Sequence, residues 1–275
     1  MVIGVDHDLH ESGERGEQRF TLFQYWDTPT PPPEVAACMA YMGANNPEFT
    51  HEVFDEHRAR AFIAAHYGPR ELRAFDACAV PAMQADYFRL CALESTGGLY
   101  IDADTQSLEP VAPLVARAPG GFVYMFFGNF NNAIAFFPKA HSPFLRACLA
   151  LATDNIETRR FSAVFTTTGP GVFDAVRAVM APATLEATIA AFESKRGSGD
   201  RFFGMTAEQT LAWGFRELLD VARATIALTP ELEASIRGIT LLDSCTQLEP
   251  WFGAEQPAYK QSPRHWLHWP GSIYR

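Results

Sequence analysis

The chain has 275 residues, 48% hydrophobic and 20% charged, enough to bury a sizeable core without disulfides or a structural metal. Its net charge of −10, with no basic block, excludes a general attraction to nucleic-acid phosphates or anionic membranes. No run has the apolar length of a transmembrane helix, and the first residues are acidic where a secretory signal is basic and then apolar; the five scattered cysteines read as buried thiols of a reducing, cytoplasmic compartment.

Residues 1–19 are charged and poor in apolar side chains, which predicts a flexible leader, and residues 20–275 then read as one domain. Phe20–Trp26 is an aromatic and β-branched run, hence a strand. Pro29, Pro31, Pro32 and Pro33 end it by removing ladder donors, and the same prolines suit the first turn of a helix from Glu34 to about Ala44. Asn45-Asn46-Pro47 stops that helix. Further helices are expected over Asp55–His66, closed by Gly68-Pro69, and over residues 82–96, where Gly97-Gly98 supplies a left-handed stop. Leu99–Ile101 reads as a buried strand, and Phe122–Phe127 and Ala133–Phe137 as two more, with Asn129-Phe130-Asn131-Asn132 between them. A helix over Pro143–Thr153, a turn at Gly169-Pro170-Gly171, a helix over Val172–Met180 and another over 207–222 follow. From Trp251 to Arg275 the chain is rich in Trp, Pro, Gly and His without a period, which predicts a long structured tail or lid.

The residue types that carry chemistry gather in Gln84–Arg89 and Gly97–Asp104. Side chains alternate along a strand, so Asp102 and Asp104 point the same way, separated by the small Ala103. Adjacent carboxylates raise each other's pKa unless a cation neutralises them, and hard oxygen donors suit Mn²⁺ or Mg²⁺. A bare D-x-D is more often a solvated turn, so its surroundings decide. Asp86 and Arg89 lie three apart on one helix face, and an exposed pair of that kind contributes under about 1 kcal/mol. Here the helix around them (Met83, Ala85, Tyr87, Phe88, Leu90, Leu93) is apolar on most sides. The charged pair therefore needs partners, which a cleft at the strand end supplies.

The run Ala85-Asp86-x-x-Arg89-x-x-x-Leu93-x-x-x-Gly97-Gly98-x-Tyr100-x-Asp102-x-Asp104 resembles the core of the DxD sugar transferases. In particular it is similar to glycosyltransferase family 32, which includes yeast α-1,6-mannosyltransferases and bacterial capsule-synthesis enzymes. The large clostridial glucosylating toxins share the pattern more remotely. The resemblance implies a GT-A-like α/β fold, a mixed, mostly parallel sheet flanked by helices, with the donor site at the C-terminal edge of the strands. It implies transfer of a glycosyl group, with retention of configuration, from a UDP- or GDP-sugar to an acceptor hydroxyl. Mn²⁺, or Mg²⁺, would sit on Asp102 and Asp104. Trp26 would stack on the base, with Gln24 on the same strand also at the nucleotide. Asp86 and Arg89 would hydrogen-bond ribose and donor-sugar hydroxyls, and Asn132 would line the donor-sugar or acceptor side. His268-Trp269-Pro270-Gly271-Ser272-Ile273-Tyr274 is similar to the family's terminal H-x-x-G-S-x-W stretch. That implies His268 on the metal, with His265 as the alternative ligand, and Ser272 and Tyr274 at the diphosphate, Tyr274 standing where Trp is commoner. Thr168-Gly169-Pro170-Gly171 matches a family turn and reads as structural. The implied partners are a nucleotide sugar and a glycan, lipid, protein or small-molecule acceptor, with peripheral membrane contact allowed and no nucleic acid.

Two other readings compete. Leu99–Thr105 also satisfies the strand-D-x-D-x-T pattern of haloacid-dehalogenase-type phosphatases, whose first Asp is a nucleophile and second an acid. The motif comes late for that fold, no Asp-Asp pair follows, and Lys139 and Lys195 are the credible lysines. The third reading is a non-catalytic nucleotide-sugar binding module. No G-x-G-x-x-G, Walker loop, G-x-S-x-G or Cys/His cluster is present, and Gly197-Ser198-Gly199 reads as a loop.

Overall fold

The computed structural model describes residues 19–105, 108–126, 129–180, 190, 194, 201–202, 205–206, 214–243, 258–263 and 265–275. The predicted leader up to residue 18, Lys195, Gly197-Ser198-Gly199, Cys245 and residues 251–257 of the predicted tail lie outside them.

The sheet is built from β1 (Thr21–Tyr25), β2 (Thr50–Phe54), β3 (Gly98–Ile101), β4 (Phe122–Phe126), β5 (Asn129–Phe137) and β8 (Thr240–Asp243), in the order β2-β1-β3-β5-β4-β8. A separate two-stranded ribbon pairs β6 (Arg201–Phe202) with β7 (Met205–Thr206). β1 runs parallel to β2 and to β3, and β4 is parallel to β8, while β5 is antiparallel to both β3 and β4. This is the mixed, mostly parallel α/β architecture expected from the sequence.

Strand alternation divides the core into two layers. Phe23, Tyr25, Tyr100, Ala135 and Phe137 point to one face and pack on α4 (Pro81–Thr96), α6 (Pro143–Glu157) and α8 (Pro170–Met180) through Phe88, Phe144 and Phe173. Leu22, Leu99, Ile101, Ile134 and Phe136 point the other way, onto Met42 of α1 (Pro33–Asn45) and Leu114 of α5 (Ala112–Ala116). The parity matters for the site: Tyr100 faces α4, so Asp102, two residues on, does too.

Local chemistry accounts for the boundaries. Proline in the first turn opens α1, α3 (Pro69–Ala77), α4 and α6. Asp55 caps α2 (Glu56–His66) by accepting the Arg58 N–H at 2.8 Å. α4 ends at Gly97 (φ +69°) and Gly98 (φ +114°), and a Cβ on Gly98 would stand 2.6 Å from the Thr21 carbonyl oxygen. Only glycine lets the chain turn from the helix into β3 alongside β1.

Several elements differ from the sequence expectation. β2, α3, α10 (Pro230–Arg237, preceded by α7, Val164–Thr167, and α9, Phe215–Thr225) and β8 were not anticipated. The asparagines expected between two strands belong to β5, because the ladder continues past a register shift at Val123/Tyr124 and pairs Tyr124 with Asn131. The helix expected over 207–222 is seen as α9; residues 207–213 lie outside the described residues. The end of the tail is pinned to the body: Ala79 N–H donates to the Ile273 carbonyl at 2.9 Å, Arg275 N–H to Ala77 at 2.8 Å, and Ile273 is buried. Cys78, Cys91 and Cys148 are free, buried thiols. No helix among the described residues is long and apolar enough to cross a membrane.

Candidate active site

The topology brings distant residues to one edge of the sheet. β1 and β3 are parallel neighbours, so Trp26 after β1 and Asp102 after β3 emerge at the same, C-terminal edge. β5 runs the opposite way, so its early residues lie there as well, and the Asp102 N–H donates to the Ala133 carbonyl at 2.8 Å. That bond sets Asn132 beside Asp102.

Arg89 stands at the centre. It is 1% exposed, yet its Nη1 donates to Asp86 Oδ1 and its Nη2 to Asp102 Oδ1, each at 2.5 Å, and its guanidinium carbon lies 4.3 Å from the centre of the Tyr100 ring. Asn132 Nδ2 donates to the same Asp86 oxygen at 2.9 Å, and the Thr168 hydroxyl reaches Asp86 Oδ2 at 3.5 Å. Burial pushes the Asp86 carboxyl up to about 6, with the Asp102 charge adding to it, while Arg89 and Asn132 pull it down. Burial and the neighbouring Asp104 charge also raise Asp102, against the pull of Arg89 and Lys260. Arg89 Nε is buried without a partner among the described residues. With both terminal nitrogens taken by carboxylates, Arg89 braces Asp86 and Asp102 rather than presenting itself to a ligand; the Asp102 side chain, 33% exposed, is the part of the cluster open to solvent.

The second carboxylate has its own partners. Asp104 Oδ2 accepts from the Tyr259 hydroxyl at 2.5 Å and pairs with Lys260 Nζ at 2.8 Å. Burial and Asp104 hold the Tyr259 phenol far above its usual range, so it stays protonated and donates. The Tyr259 ring stands edge-on to Trp26, centroids 5.0 Å apart at 87°, and both rings pack around Val35, Met39 and Ala103. Trp26 is half-buried, packed against the small cluster of Val35, Met39 and Ala103.

The donor set suits a hard divalent cation. Two carboxylates two residues apart repel each other, and a lysine ammonium already sits against one of them as a stand-in cation. Among the described residues no three His, Cys, Asp or Glu side chains form a metal cluster, so Asp102 and Asp104 would bind the ion together with ligand or water oxygens.

The remaining predicted residues are spread out. Gln24 is fully buried and bridges the site to β2: its Oε1 meets His51 Nε2 at 2.8 Å and its Nε2 donates to the Asp102 carbonyl at 3.4 Å. Of the two histidines, His265 lies near Tyr259, ring centroids 6.2 Å apart, with a buried Nδ1 lacking a described partner. Burial and the charges of Lys260 and His268 push His265 down to about 4, which keeps it neutral. His268 is exposed, its ring 6.0 Å from His265, and among the described residues no contact joins it to Asp102 or Asp104. Ser272 is exposed and its hydroxyl accepts the Tyr274 N–H at 3.1 Å. The Tyr274 hydroxyl donates to the Phe161 carbonyl at 2.7 Å, beside the bridge between Tyr274 and Cys78, so it serves as an anchor for the chain end. Sequence reasoning missed Tyr259, Lys260 and the polar role of Thr168. Tyr259 and Lys260 lie in a short 3₁₀ turn, Ala258–Gln261, with no motif of its own.

Residues 32–119 match the family described as the glycosyltransferase sugar-binding region containing a DXD motif, a segment that includes Asp86, Arg89, Asp102 and Asp104. Over 98 residues the chain is 28% identical to the initiation-specific alpha-1,6-mannosyltransferase of Schizosaccharomyces pombe, which covers 34% of this chain and 25% of that protein. The chain thus spans about a quarter of the curated relative's length. Among solved structures, the PaToxG glycosyltransferase superposes with a TM-score of 0.47 at 16% identity, covering 80% of this chain and 84% of its own. Over residues 32–119 the chain is therefore similar to the sugar-binding region of DXD-containing glycosyltransferases.

Proposed function

We propose that the protein is a metal-dependent, retaining glycosyltransferase that moves a sugar from a UDP- or GDP-sugar to an acceptor hydroxyl. The observation that carries this reading is the Arg89 bridge, which fixes Asp86 and Asp102 at the strand edge next to Asp104 and Trp26. In this reading Trp26 offers an aromatic platform to the base. Asp86 and Asn132, locked to each other at 2.9 Å, orient donor hydroxyls, and Asp102 and Asp104 hold the cation. A bound Mn²⁺ or Mg²⁺ would neutralise charge developing on the departing diphosphate. The S. pombe relative's printed activity, mannosyl transfer, supports glycosyl transfer, and retention of configuration rests on the family resemblance. The free buried thiols fit a cytoplasmic setting.

Hydrolysis of UDP- and GDP-sugars, followed with Mn²⁺ and with EDTA, tests the reading. Sugar release that needs metal supports it. Metal-independent release, or release of inorganic phosphate from a phosphomonoester instead, would overturn it, the latter in favour of Asp102 acting as a phosphatase nucleophile.

A further inference from the structure

We propose that Lys260 is a donor-binding residue: its ammonium, held by Asp104 in the free protein, keeps that contact and also binds the diphosphate of an incoming nucleotide sugar. The proposal rests on the transferase reading above and adds a residue outside the D-x-D segment.

One short turn reaches both Trp26 and Asp104. In the 3₁₀ turn Ala258–Gln261, Tyr259 packs edge-on to Trp26 at 5.0 Å while its hydroxyl and the adjacent Lys260 both meet Asp104 Oδ2, at 2.5 and 2.8 Å. The aromatic contact holds the turn at the base end, and the polar contacts place a cation at the carboxylate end. Asp104 is the one partner of Lys260 among the described residues. An ammonium carries three N–H donors on a flexible stem, so two remain for a second acceptor while the first stays on Asp104.

The charges at the site require such a group. Asp102 and Asp104 are both acidic, and a bound diphosphate brings further negative charge into the same space. A divalent cation cancels only the two carboxylates, and the diphosphate remains uncompensated. Arg89 cannot supply the balance, because it is 1% exposed and turning it outward would strip Asp86 and Asp102 of their buried partner. Among the described residues Lys260, with a side chain 25% exposed, is the cation placed to do so.

The test is calorimetric titration of UDP and GDP, in saturating Mn²⁺, into wild type, Lys260→Met, Lys260→Arg and Asp104→Asn, with uridine and guanosine as uncharged controls. Loss of a charged hydrogen bond predicts binding about ten-fold weaker or worse for Lys260→Met, with most affinity kept by Lys260→Arg. The nucleosides should bind wild type and Lys260→Met alike. Unchanged or tighter nucleoside diphosphate binding by folded Lys260→Met overturns the proposal, and would make Lys260 a plug that the donor displaces. The two ideas fail differently. If wild type binds neither nucleotide, the transferase reading falls and this proposal with it. If wild type binds, Asp104→Asn abolishes the metal dependence and Lys260→Met changes nothing, only the present proposal falls.

Discussion

Replacing Arg89 by Met tests whether the cluster is an ion network in which one buried cation holds two carboxylates. Methionine keeps much of the volume, so the change removes the charge and the two 2.5 Å hydrogen bonds, leaving Asp86 and Asp102 facing each other. Removing one partner from a buried ion pair costs about 3–5 kcal/mol, because the partner left behind is an uncompensated charge. A domain stable by about 5–15 kcal/mol survives that loss in most of its range. The loss also has a predicted pH dependence. In wild type burial already lifts Asp86 to about 6, with Arg89 opposing it, so without Arg89 both carboxylates bind protons more readily still. Protonation removes the unpaired charges, and the variant's deficit should shrink as pH falls. Urea unfolding at pH 8 and pH 5 reads both effects, provided the m-value is unchanged. A deficit near 3–5 kcal/mol at pH 8 that narrows at pH 5 is expected. A deficit below about 1 kcal/mol at pH 8, or one that widens in acid, would refute the network.

Three further outcomes follow from the same contacts. Trp26→Ala should weaken nucleoside diphosphate binding by about 1–3 kcal/mol, the range for one base on an aromatic platform, measured by calorimetry with a melting curve as the fold control. In wild type the native Asp86 carboxyl, at about 6 against an ordinary 3.8, binds more protons than the unfolded chain between those values. Stability should therefore fall by about 3 kcal/mol as pH rises through that window, and Asp86→Asn should flatten much of the fall, with Asp102 leaving a remainder of the same sign. Asp55→Ala should cost about 1 kcal/mol of unfolding free energy through the lost cap on α2, without affecting nucleotide binding.

The parts of the fold legible in the sequence were those with strong punctuation. Prolines before Glu34 and the Gly97-Gly98 pair mark α1 and the α4–β3 turn because each imposes a backbone state that few residues share. β2 escaped because Thr50-His51-Glu52-Val53-Phe54 has mostly half-buried side chains and little hydrophobic signal; its place is set by pairing with β1. Composition places Asn129–Asn132 between two strands, whereas the ladder to β4 makes them part of β5. In the candidate site, Asp86, Arg89, Asp102 and Asp104 stood out because charges inside an apolar helix and beside a buried strand demand partners. That Arg89 joins Asp86 to Asp102, instead of facing outward, needed the parity that sets Tyr100 and Asp102 toward α4. Tyr259 and Lys260 were not legible at all, since 155 residues separate Tyr259 from Asp104 and only the folded chain brings them together.

The most direct measurement is Mn²⁺ binding itself, followed by electron paramagnetic resonance with and without UDP or GDP, in wild type and in Asp104→Asn. If Asp102 and Asp104 grip the ion and the ion grips the diphosphate, nucleotide should tighten Mn²⁺ binding in wild type, and Asp104→Asn should lose both the binding and the coupling while keeping the wild-type fold. Mn²⁺ that binds wild type and Asp104→Asn equally, or that ignores the nucleotide, would contradict the account.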